Sequence, residues 1–208
     1  KKHIKDLVWT EIVREKILPR NDNLHFVVGD FLKEKLPVDP PFKVVANLPY
    51  QITTPVIRRF LEIGPLPEKI VVLIQKEVAE RLTARPGNAK RGWISVLVEL
   101  FGEASMVHVV GSTSFFPEPD VESAVLVIDN IKPAEGIDLK KFLQIVKAGF
   151  SSKRRQLANS LAGGMGLDLN ETREIVEQSG IDTKLRAEDL NIEQWKTLTG
   201  LFIARGKI

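Results

Sequence analysis

Two apolar runs that are each followed by a helical pattern constrain the fold of this chain most strongly. The runs lie at residues 42–46 and 70–74, where valine and isoleucine recur, as is typical of short strands buried in a sheet. Helical patterns follow at residues 55–63 and 75–82. Alternating strands and helices are typical of a mostly parallel sheet covered by helices on both faces. The sequence therefore predicts an α/β fold.

The neighbouring segments extend this pattern and add an edge to the sheet. Further patterns predict helices at residues 10–18 and 93–101 and strands at residues 24–28, 104–110 and 124–128. The loop at residues 111–120 is too short for the helical crossover that parallel neighbours require. The last two strands are therefore predicted to pair antiparallel at one edge of the sheet.

The composition changes at residues 132–136, after which no strand-like run follows. We therefore predict two domains, an α/β domain at residues 1–132 and a small all-α domain at residues 133–208. Amphipathic patterns predict the helices of the second domain at residues 139–150, 153–161, 170–179 and 192–203.

The composition also excludes several classes of protein. The chain has no cysteine, which excludes disulfides and thiolate metal sites, and its three histidines are scattered. No apolar run approaches the roughly 18 residues of a membrane span, and no secretory signal is visible. We therefore expect a cytoplasmic protein with no metal site and no membrane partner. The net charge of +3 permits a nucleic-acid partner without requiring one.

Asn47-Leu48-Pro49-Tyr50 follows a predicted strand, at the end where open α/β sheets bind ligands. The Asn47 side-chain carbonyl and the Leu48 backbone carbonyl can each accept one N–H of an exocyclic amine. Pro49 stiffens the loop because it fixes φ and lacks a backbone donor, and Tyr50 offers a flat face for a base. The four residues suit a site for a planar base that carries an amine. An ordinary strand-to-helix turn accounts for them equally well.

Two more positions have the right chemistry for a base site. Asp30 closes the strand predicted at residues 24–28, and its carboxylate can accept from the amine of an adenine. A helix-capping or turn role explains Asp30 equally well. Phe115 lies on an aromatic loop that is stiffened by two prolines. Its ring could either stack on a base or pack in the core.

Basic residues gather in two stretches of the sequence. Clusters of this kind suit contacts with a nucleic-acid backbone. Each cluster alone is more simply explained as a solvated face, but several clusters around one predicted site favour RNA or DNA. The residues are Arg81, Arg85, Lys90 and Arg91 in the first stretch and Lys153, Arg154 and Arg155 in the second, and the pair Arg58 and Arg59 after the Tyr50 turn is a further, smaller cluster.

Taken together, five stretches resemble one family of enzymes. Asn47-Leu48-Pro49-Tyr50 with Gly29-Asp30 upstream resembles the S-adenosylmethionine-dependent adenine-N6 methyltransferases. The remaining stretches narrow the resemblance to the small-subunit ribosomal RNA adenine dimethyltransferases of the KsgA type. These stretches are residues 75–82, residues 115–124, residues 150–161 and Arg186-Ala187-Glu188-Asp189-Leu190. Any one of them is a weak signal, but five in the same order are highly specific.

This resemblance implies a fold, a reaction and roles for individual residues. The fold is a Rossmann-like methyltransferase domain followed by a small helical domain. The reaction is dimethylation of N6 on two adjacent adenines near the 3′ end of small-subunit ribosomal RNA, on a pre-30S particle, by a monomeric enzyme.

The implied site residues fall into three groups. Asn47, Leu48, Pro49, Tyr50 and Phe115 would form the catalytic site. Asp30 and Phe31 would bind the adenine of S-adenosylmethionine, with Asn47 near its methionine end. Arg81, Arg85, Lys90, Arg91, Lys153, Arg154 and Arg155 would hold RNA.

The resemblance starts at about Asp6 and does not include the N-terminal motifs of the family. The family has a Gln-Asn-Phe-Leu-like segment, a Gly-rich turn that holds the methionine part of the cofactor, and an acidic residue that holds its ribose. None of these is recognisable here, and Ile4 stands where the acidic residue is expected. We therefore expect the chain as written to bind S-adenosylmethionine weakly.

Three other functions fit part of the pattern. A related enzyme that dimethylates large-subunit RNA and confers antibiotic resistance shares the Asn-x-Pro-Tyr arrangement, although residues 150–161 fit the small-subunit family better. A DNA adenine methyltransferase is the second alternative. The third is a ribosome-assembly factor that binds pre-ribosomal particles without needing catalysis.

Overall fold

The computed structural model of the protein describes residues 29–33 and 38–208. These residues belong to two units, the first ending at Lys35 and the second beginning at Leu36. The helix predicted at residues 10–18 and the strand predicted at residues 24–28 lie outside the described residues.

The second unit is built on a four-stranded mixed sheet. Its strands are β1 (Lys43–Asn47), β2 (Lys69–Gln75), β3 (Glu103–Val110) and β4 (Ser123–Asp129). Their order across the sheet is β1-β2-β4-β3, with β1 parallel to β2 and the other two pairs antiparallel. The antiparallel pairing predicted from the short loop between β3 and β4 is therefore confirmed, with β3 at the edge.

Helices connect these strands and continue after them. The α-helices are α1 (Thr53–Arg58), α2 (Lys76–Leu82), α3 (Trp93–Phe101), α4 (Leu139–Gly149), α5 (Leu157–Met165), α6 (Leu169–Gln178) and α7 (Ile192–Ala204). A π-helical turn at Arg59–Ile63 extends α1 to Gly64, whose φ of 82° ends the helix. Asp138, Asp168 and Asn191 cap α4, α6 and α7, each by accepting a backbone N–H.

One face of the sheet forms the core of the α/β part. Alternate residues of β2 and β4 are buried, and the register places Ile70 opposite Ile128 and Val72 opposite Leu126. Side chains that lie directly opposite on neighbouring strands pack together. The apolar faces of the surrounding helices contribute Ile57 and Leu97, both fully buried. Among the described residues, this alternation is typical of a sheet that has one face packed on the core.

The helices after residue 138 form a second apolar cluster, centred on Trp195 of α7. The Trp195 side chain is fully buried and its ring stacks on Phe150 at a centroid distance of 5.9 Å. This cluster is joined to the α/β part: the Lys147 ammonium of α4 lies 4.7 Å from the centre of the Trp93 ring. The predicted domain boundary at residue 132 stays a prediction. Over the part of the chain that the structure describes, no helix is long and apolar enough to cross a membrane.

Candidate functional site

The predicted site lies at one end of the sheet, where β1, β2 and β3 finish and β4 begins; we call this end the site edge. Asn47, the last residue of β1, lies opposite Leu73 of β2. Ser123, the first residue of β4, lies opposite Gln75 on one side and Val110 on the other. The turns that follow β1, β2 and β3 therefore start from the site edge.

The loop after β1 is held rigidly at the site edge. The Leu48 N–H donates to the Leu73 carbonyl of β2 at 3.3 Å. Pro49 has φ −55° and ψ 131°, and its carbonyl accepts from the Ile52 N–H at 3.0 Å, which closes a 3-10 turn at Tyr50–Ile52. Asn47 is exposed and Tyr50 is half-buried. An exposed amide and a half-buried aromatic ring on one short loop are the groups expected for holding a planar base with an amine.

The Tyr50 hydroxyl is hydrogen-bonded to the Ser123 hydroxyl at 2.8 Å, across 73 positions of sequence. Ser123 is fully buried. Ser123 was not among the predicted site residues, although it lies inside the stretch 115–124 that resembles the family. Its contact with Tyr50 depends on the register of β4, which a sequence pattern does not reveal.

The loop between β3 and β4 carries the predicted Phe115. A 3-10 turn at Ser112–Ser114 precedes it, and the Ser112 hydroxyl bonds to the Glu118 carboxylate at 2.6 Å. Phe115 is half-buried, whereas its neighbour Phe116 is fully exposed. The loop starts at the site edge, where Asn47 also lies, because β3 ends at Val110 opposite Ser123.

An ion pair closes the junction between β2 and β4 at the site edge. The Lys76 ammonium lies 2.6 Å from the Glu122 carboxylate, and the Lys76 N–H donates to the Glu122 carbonyl at 3.0 Å. The hydrogen bond that the Lys76 ammonium donates to the Glu122 carboxylate, and secondly the negative charge of that carboxylate, raise the pKa of Lys76. Glu122, the residue before Ser123, is therefore held through both its backbone and its side chain.

Comparison with known proteins decides the family. Residues 5–203 match the family described as "Ribosomal RNA adenine dimethylase". The chain belongs to the ribosomal RNA adenine dimethylase family.

Curated members of this family are similar over most of the chain. "Ribosomal RNA small subunit methyltransferase A" of Dehalococcoides mccartyi (strain CBDB1) is 40% identical, over 85% of this chain and 62% of the relative. The protein of the same name from Clostridioides difficile (strain 630) is 37% identical, over 95% of this chain and 67% of the relative. The one from Nostoc punctiforme is 35% identical, over 98% of this chain and 78% of the relative. The chain therefore spans less than two thirds of the length of the D. mccartyi relative.

Two solved structures share the fold of this chain. A dimethyladenosine transferase from Plasmodium falciparum superposes with a TM-score of 0.80, covering 99% of this chain and 80% of that one at 21% identity. The 23S rRNA methyltransferase ErmE superposes with a TM-score of 0.65, covering 94% and 78% at 22% identity. The predicted Rossmann-like fold is thereby confirmed.

Three of the four predicted RNA-binding residues in the first basic stretch are exposed. These residues are Arg81, Arg85 and Lys90. The Lys90 ammonium pairs with the Glu80 carboxylate at 2.5 Å, and this hydrogen bond lowers the pKa of Glu80. Charged groups at this surface are therefore already partly paired.

Arg91 differs from its neighbours, and the prediction that it binds RNA is wrong in this structure. Its side chain is only 1% exposed, so no phosphate can reach it. The guanidinium instead donates to the carbonyls of Ala84 at 2.8 Å and Leu190 at 3.3 Å. A run of basic residues in a sequence does not distinguish an arginine that is buried from those that are not.

The second basic stretch is exposed but is not helical. Lys153, Arg154 and Arg155 lie in a turn between a 3-10 turn at Phe150–Ser152 and the start of α5 at Leu157. The predicted helix at residues 153–161 therefore starts four residues late. The reason is tertiary, because the Leu157 N–H donates to the distant Leu185 carbonyl at 2.8 Å rather than to the preceding turn.

Asp30 and Phe31 belong to the first unit, and Asp30 has the chemistry expected of an adenine-binding residue. Its carboxylate accepts from the Leu32 N–H at 3.0 Å and lies 3.4 Å from the Lys33 ammonium. The Asp30 side chain is still 49% exposed, and Phe31 is half-buried. An accessible acceptor next to an aromatic ring suits the adenine part of S-adenosylmethionine.

Proposed function

We propose that this protein transfers methyl groups from S-adenosylmethionine to N6 of two adjacent adenines near the 3′ end of small-subunit ribosomal RNA. The observation that carries the proposal is the exposed Asn47 at the end of β1, followed three residues later by the half-buried Tyr50. The curated relatives bear the name of a small-subunit ribosomal RNA methyltransferase. The proposal includes a pre-30S particle as the substrate and a monomeric enzyme in the cytoplasm, as expected from the sequence.

The loop residues would position the target base. The adenine leaves its stack and enters the site, where the Asn47 side-chain oxygen and the Leu48 carbonyl accept the two hydrogens of its amine. Two acceptors in fixed places direct the nitrogen lone pair toward a third point. The ring of Tyr50 stacks on one face of the base, and Phe115 is placed on a loop from the same edge. Positioning of this kind supplies much of the rate enhancement in a displacement reaction.

When bound, S-adenosylmethionine supplies an electrophilic methyl group. Asp30 would accept a hydrogen bond from its adenine amine and Phe31 would pack against that ring. The methyl transfer needs no basic side chain, because the amine nitrogen becomes cationic when it is methylated and then releases its proton to solvent. The chain's own task is therefore to hold the amine and to exclude wrong orientations.

The RNA would be held by exposed cations of both basic stretches. Each phosphate contact adds a salt-dependent increment of affinity without reading sequence. We propose that the contacting residues are Arg81, Arg85, Lys90, Lys153, Arg154 and Arg155.

Two alternatives make different predictions about substrates. A large-subunit enzyme, the class to which ErmE belongs by name, would methylate large-subunit RNA in preference to small-subunit particles. A ribosome-assembly factor would bind pre-30S particles with the same affinity whether or not it could methylate them.

The test compares the wild-type protein with Asn47→Ala on small-subunit particles, large-subunit RNA and DNA. It uses a large excess of S-adenosylmethionine, because weak cofactor binding is expected from the sequence. The product is dimethyladenosine, measured by mass spectrometry of the digested nucleic acid. We expect transfer to small-subunit particles only, and a loss of roughly 10²-fold in Asn47→Ala, the size typical of a misplaced reacting group. Asn170→Ala is the matched control, since Asn170 is an exposed asparagine on α6.

Transfer by the wild-type protein separates the enzyme from the assembly factor. Transfer that is lost in Asn47→Ala while particle binding is retained supports the enzyme, whereas particle binding without transfer by the wild-type protein supports the assembly factor. Turnover by Asn47→Ala close to that of Asn170→Ala would contradict the role of Asn47, and transfer to large-subunit RNA instead would support the alternative enzyme.

A further inference from the structure

We propose that Ser123 is a positioning residue that sets the plane of the Tyr50 ring for stacking on the target adenine. The inference rests on the proposed function and deepens it. Ser123 would act only through Tyr50 and would not touch substrate.

Ser123 is a fixed anchor point. It starts β4, where it is paired with Gln75 of β2 and Val110 of β3. Its side chain is fully buried, and the residue before it is tied to Lys76 by a backbone hydrogen bond and an ion pair. A hydroxyl between two paired strands has little freedom to move.

Tyr50 is held at two points that together define its ring. The backbone is fixed by the 3-10 turn and by the Leu48–Leu73 hydrogen bond, which joins the loop to β2. The far end of the ring is fixed by the 2.8 Å bond to Ser123. A tyrosine has only two side-chain torsions, so an anchored backbone and an anchored hydroxyl leave its ring with one orientation.

The two partners do not depend on each other equally. Among the described residues, the buried Ser123 hydroxyl has Tyr50 as its side-chain partner. Without the Tyr50 hydroxyl it would be buried and unsatisfied, which is costly. The half-buried Tyr50 can turn to water if Ser123 is lost. Tyr50→Phe should therefore lower the melting temperature more than Ser123→Ala, and the double variant should recover part of that loss.

The kinetic test is a double-variant cycle of Ser123→Ala and Tyr50→Phe in the methyl-transfer assay. One hydrogen bond contributes about 1 kcal/mol, so kcat should fall roughly 3- to 10-fold in each single variant. The KM for RNA should stay within about twofold, because phosphate contacts dominate binding. The double variant should match the single variants, since both remove the same bond. Thr172→Val is the control, since it also deletes the hydroxyl of a fully buried side chain but lies in α6.

A spectroscopic test needs no methyl transfer. Tyr50 is the only tyrosine in the sequence, so the tyrosine doublet in ultraviolet resonance Raman spectra reports its hydroxyl alone. Ser123→Ala should change the doublet ratio and Thr172→Val should not. RNA carrying 2-aminopurine at the target position, a fluorescent base whose ring can stack although it lacks the amine at position 6, should be less fluorescent when bound to the wild-type protein than when bound to Ser123→Ala, because stacking on Tyr50 quenches it.

The outcomes separate the two proposals. Absent methyl transfer by the wild-type protein, together with a changed doublet and weaker quenching in Ser123→Ala, would overturn the proposed function and leave the positioning role standing. An unchanged doublet and unchanged quenching, or kinetic losses that simply multiply in the double variant, would overturn the role of Ser123.

Discussion

The Arg91 guanidinium and the Glu99 carboxylate form a 2.5 Å ion pair in which Arg91 is 1% exposed and Glu99 is 20% exposed. The same guanidinium donates to Ala84 after α2 and to Leu190 before α7. One side chain therefore joins three segments, including one that belongs to the C-terminal helices. Its contribution is to the fold rather than to RNA binding.

Replacing Arg91 with methionine should destabilise the protein without changing how RNA binding depends on salt. Removing one partner of a buried ion pair leaves the other uncompensated, and we expect a loss of about 3 kcal/mol in the free energy of unfolding. Urea unfolding measures that loss. Arg85→Met is the matched control, since Arg85 is exposed. This variant should leave stability nearly unchanged and lower the salt slope, which is the slope of the logarithm of RNA affinity against the logarithm of salt concentration. If Arg91→Met instead left stability unchanged and weakened the salt dependence of RNA binding, Arg91 would have to contact RNA.

The turn that carries Lys153, Arg154 and Arg155 should contribute to RNA affinity through charge alone. Replacing all three with alanine should lower the salt slope of binding by about 2 to 3 units if each contacts one phosphate. Fluorescence titrations at several salt concentrations measure the slope. The control replaces Lys43, Lys69 and Lys132, which lie at or beyond the opposite ends of the strands. Equal slopes in the two triple variants would mean that only net charge matters.

The Lys76–Glu122 pair should give the protein a stability increment that disappears at alkaline pH. Glu122 raises the pKa of Lys76 in the folded state, so the increment is fully present below the unfolded lysine pKa of about 10.4 and is lost as the pH rises through the folded pKa. The difference in melting temperature between wild type and Glu122→Gln should therefore stay constant from neutral pH to about pH 10 and shrink above it.

Asp129→Asn provides the control for this pH dependence. The hydrogen bond from Lys69 lowers the pKa of Asp129, so its increment is present above the unfolded aspartate pKa of about 3.9 and is lost as the pH falls through the folded pKa. The two variants should differ from wild type with opposite pH trends. A Glu122→Gln difference that persists unchanged above the lysine pKa would contradict the role of the pair.

Two adjacent glycines of α5 should respond oppositely to alanine. A Cβ at Gly164 would lie 2.9 Å from the Cα and carbonyl oxygen of Ala148 in α4, whereas a Cβ at Gly163 would meet nothing within 4 Å. Gly164→Ala should therefore cost about 1–3 kcal/mol through overpacking. Gly163→Ala should stabilise by up to about 1 kcal/mol, because alanine favours the helix. Thermal unfolding of both variants measures this, and equal effects would mean that α4 and α5 pack less closely.

Local patterns were sufficient to predict the secondary structure around the candidate site. The apolar run at residues 70–74 became β2 because alternate residues are buried against helices. The antiparallel pairing of β3 and β4 followed from a loop too short for a crossover. The placement of Asn47 at the end of a strand followed from the same reasoning, since a strand, a proline and a helical pattern succeed one another within a few residues.

Sequence by itself determined where most strands, turns and helical patterns lie, because those depend on interactions between residues a few positions apart; the start of α5 at Leu157, which is bonded to Leu185, is an exception. Only the tertiary structure decided which side chains are withdrawn from solvent and which distant pairs meet. Arg91 is buried while Arg85 is exposed, because carbonyls and a carboxylate from other segments surround its guanidinium. Ser123 reaches Tyr50 because the register of β4 places it at the end of β2. Both outcomes depend on long-range packing, which leaves no periodic signal in the chain.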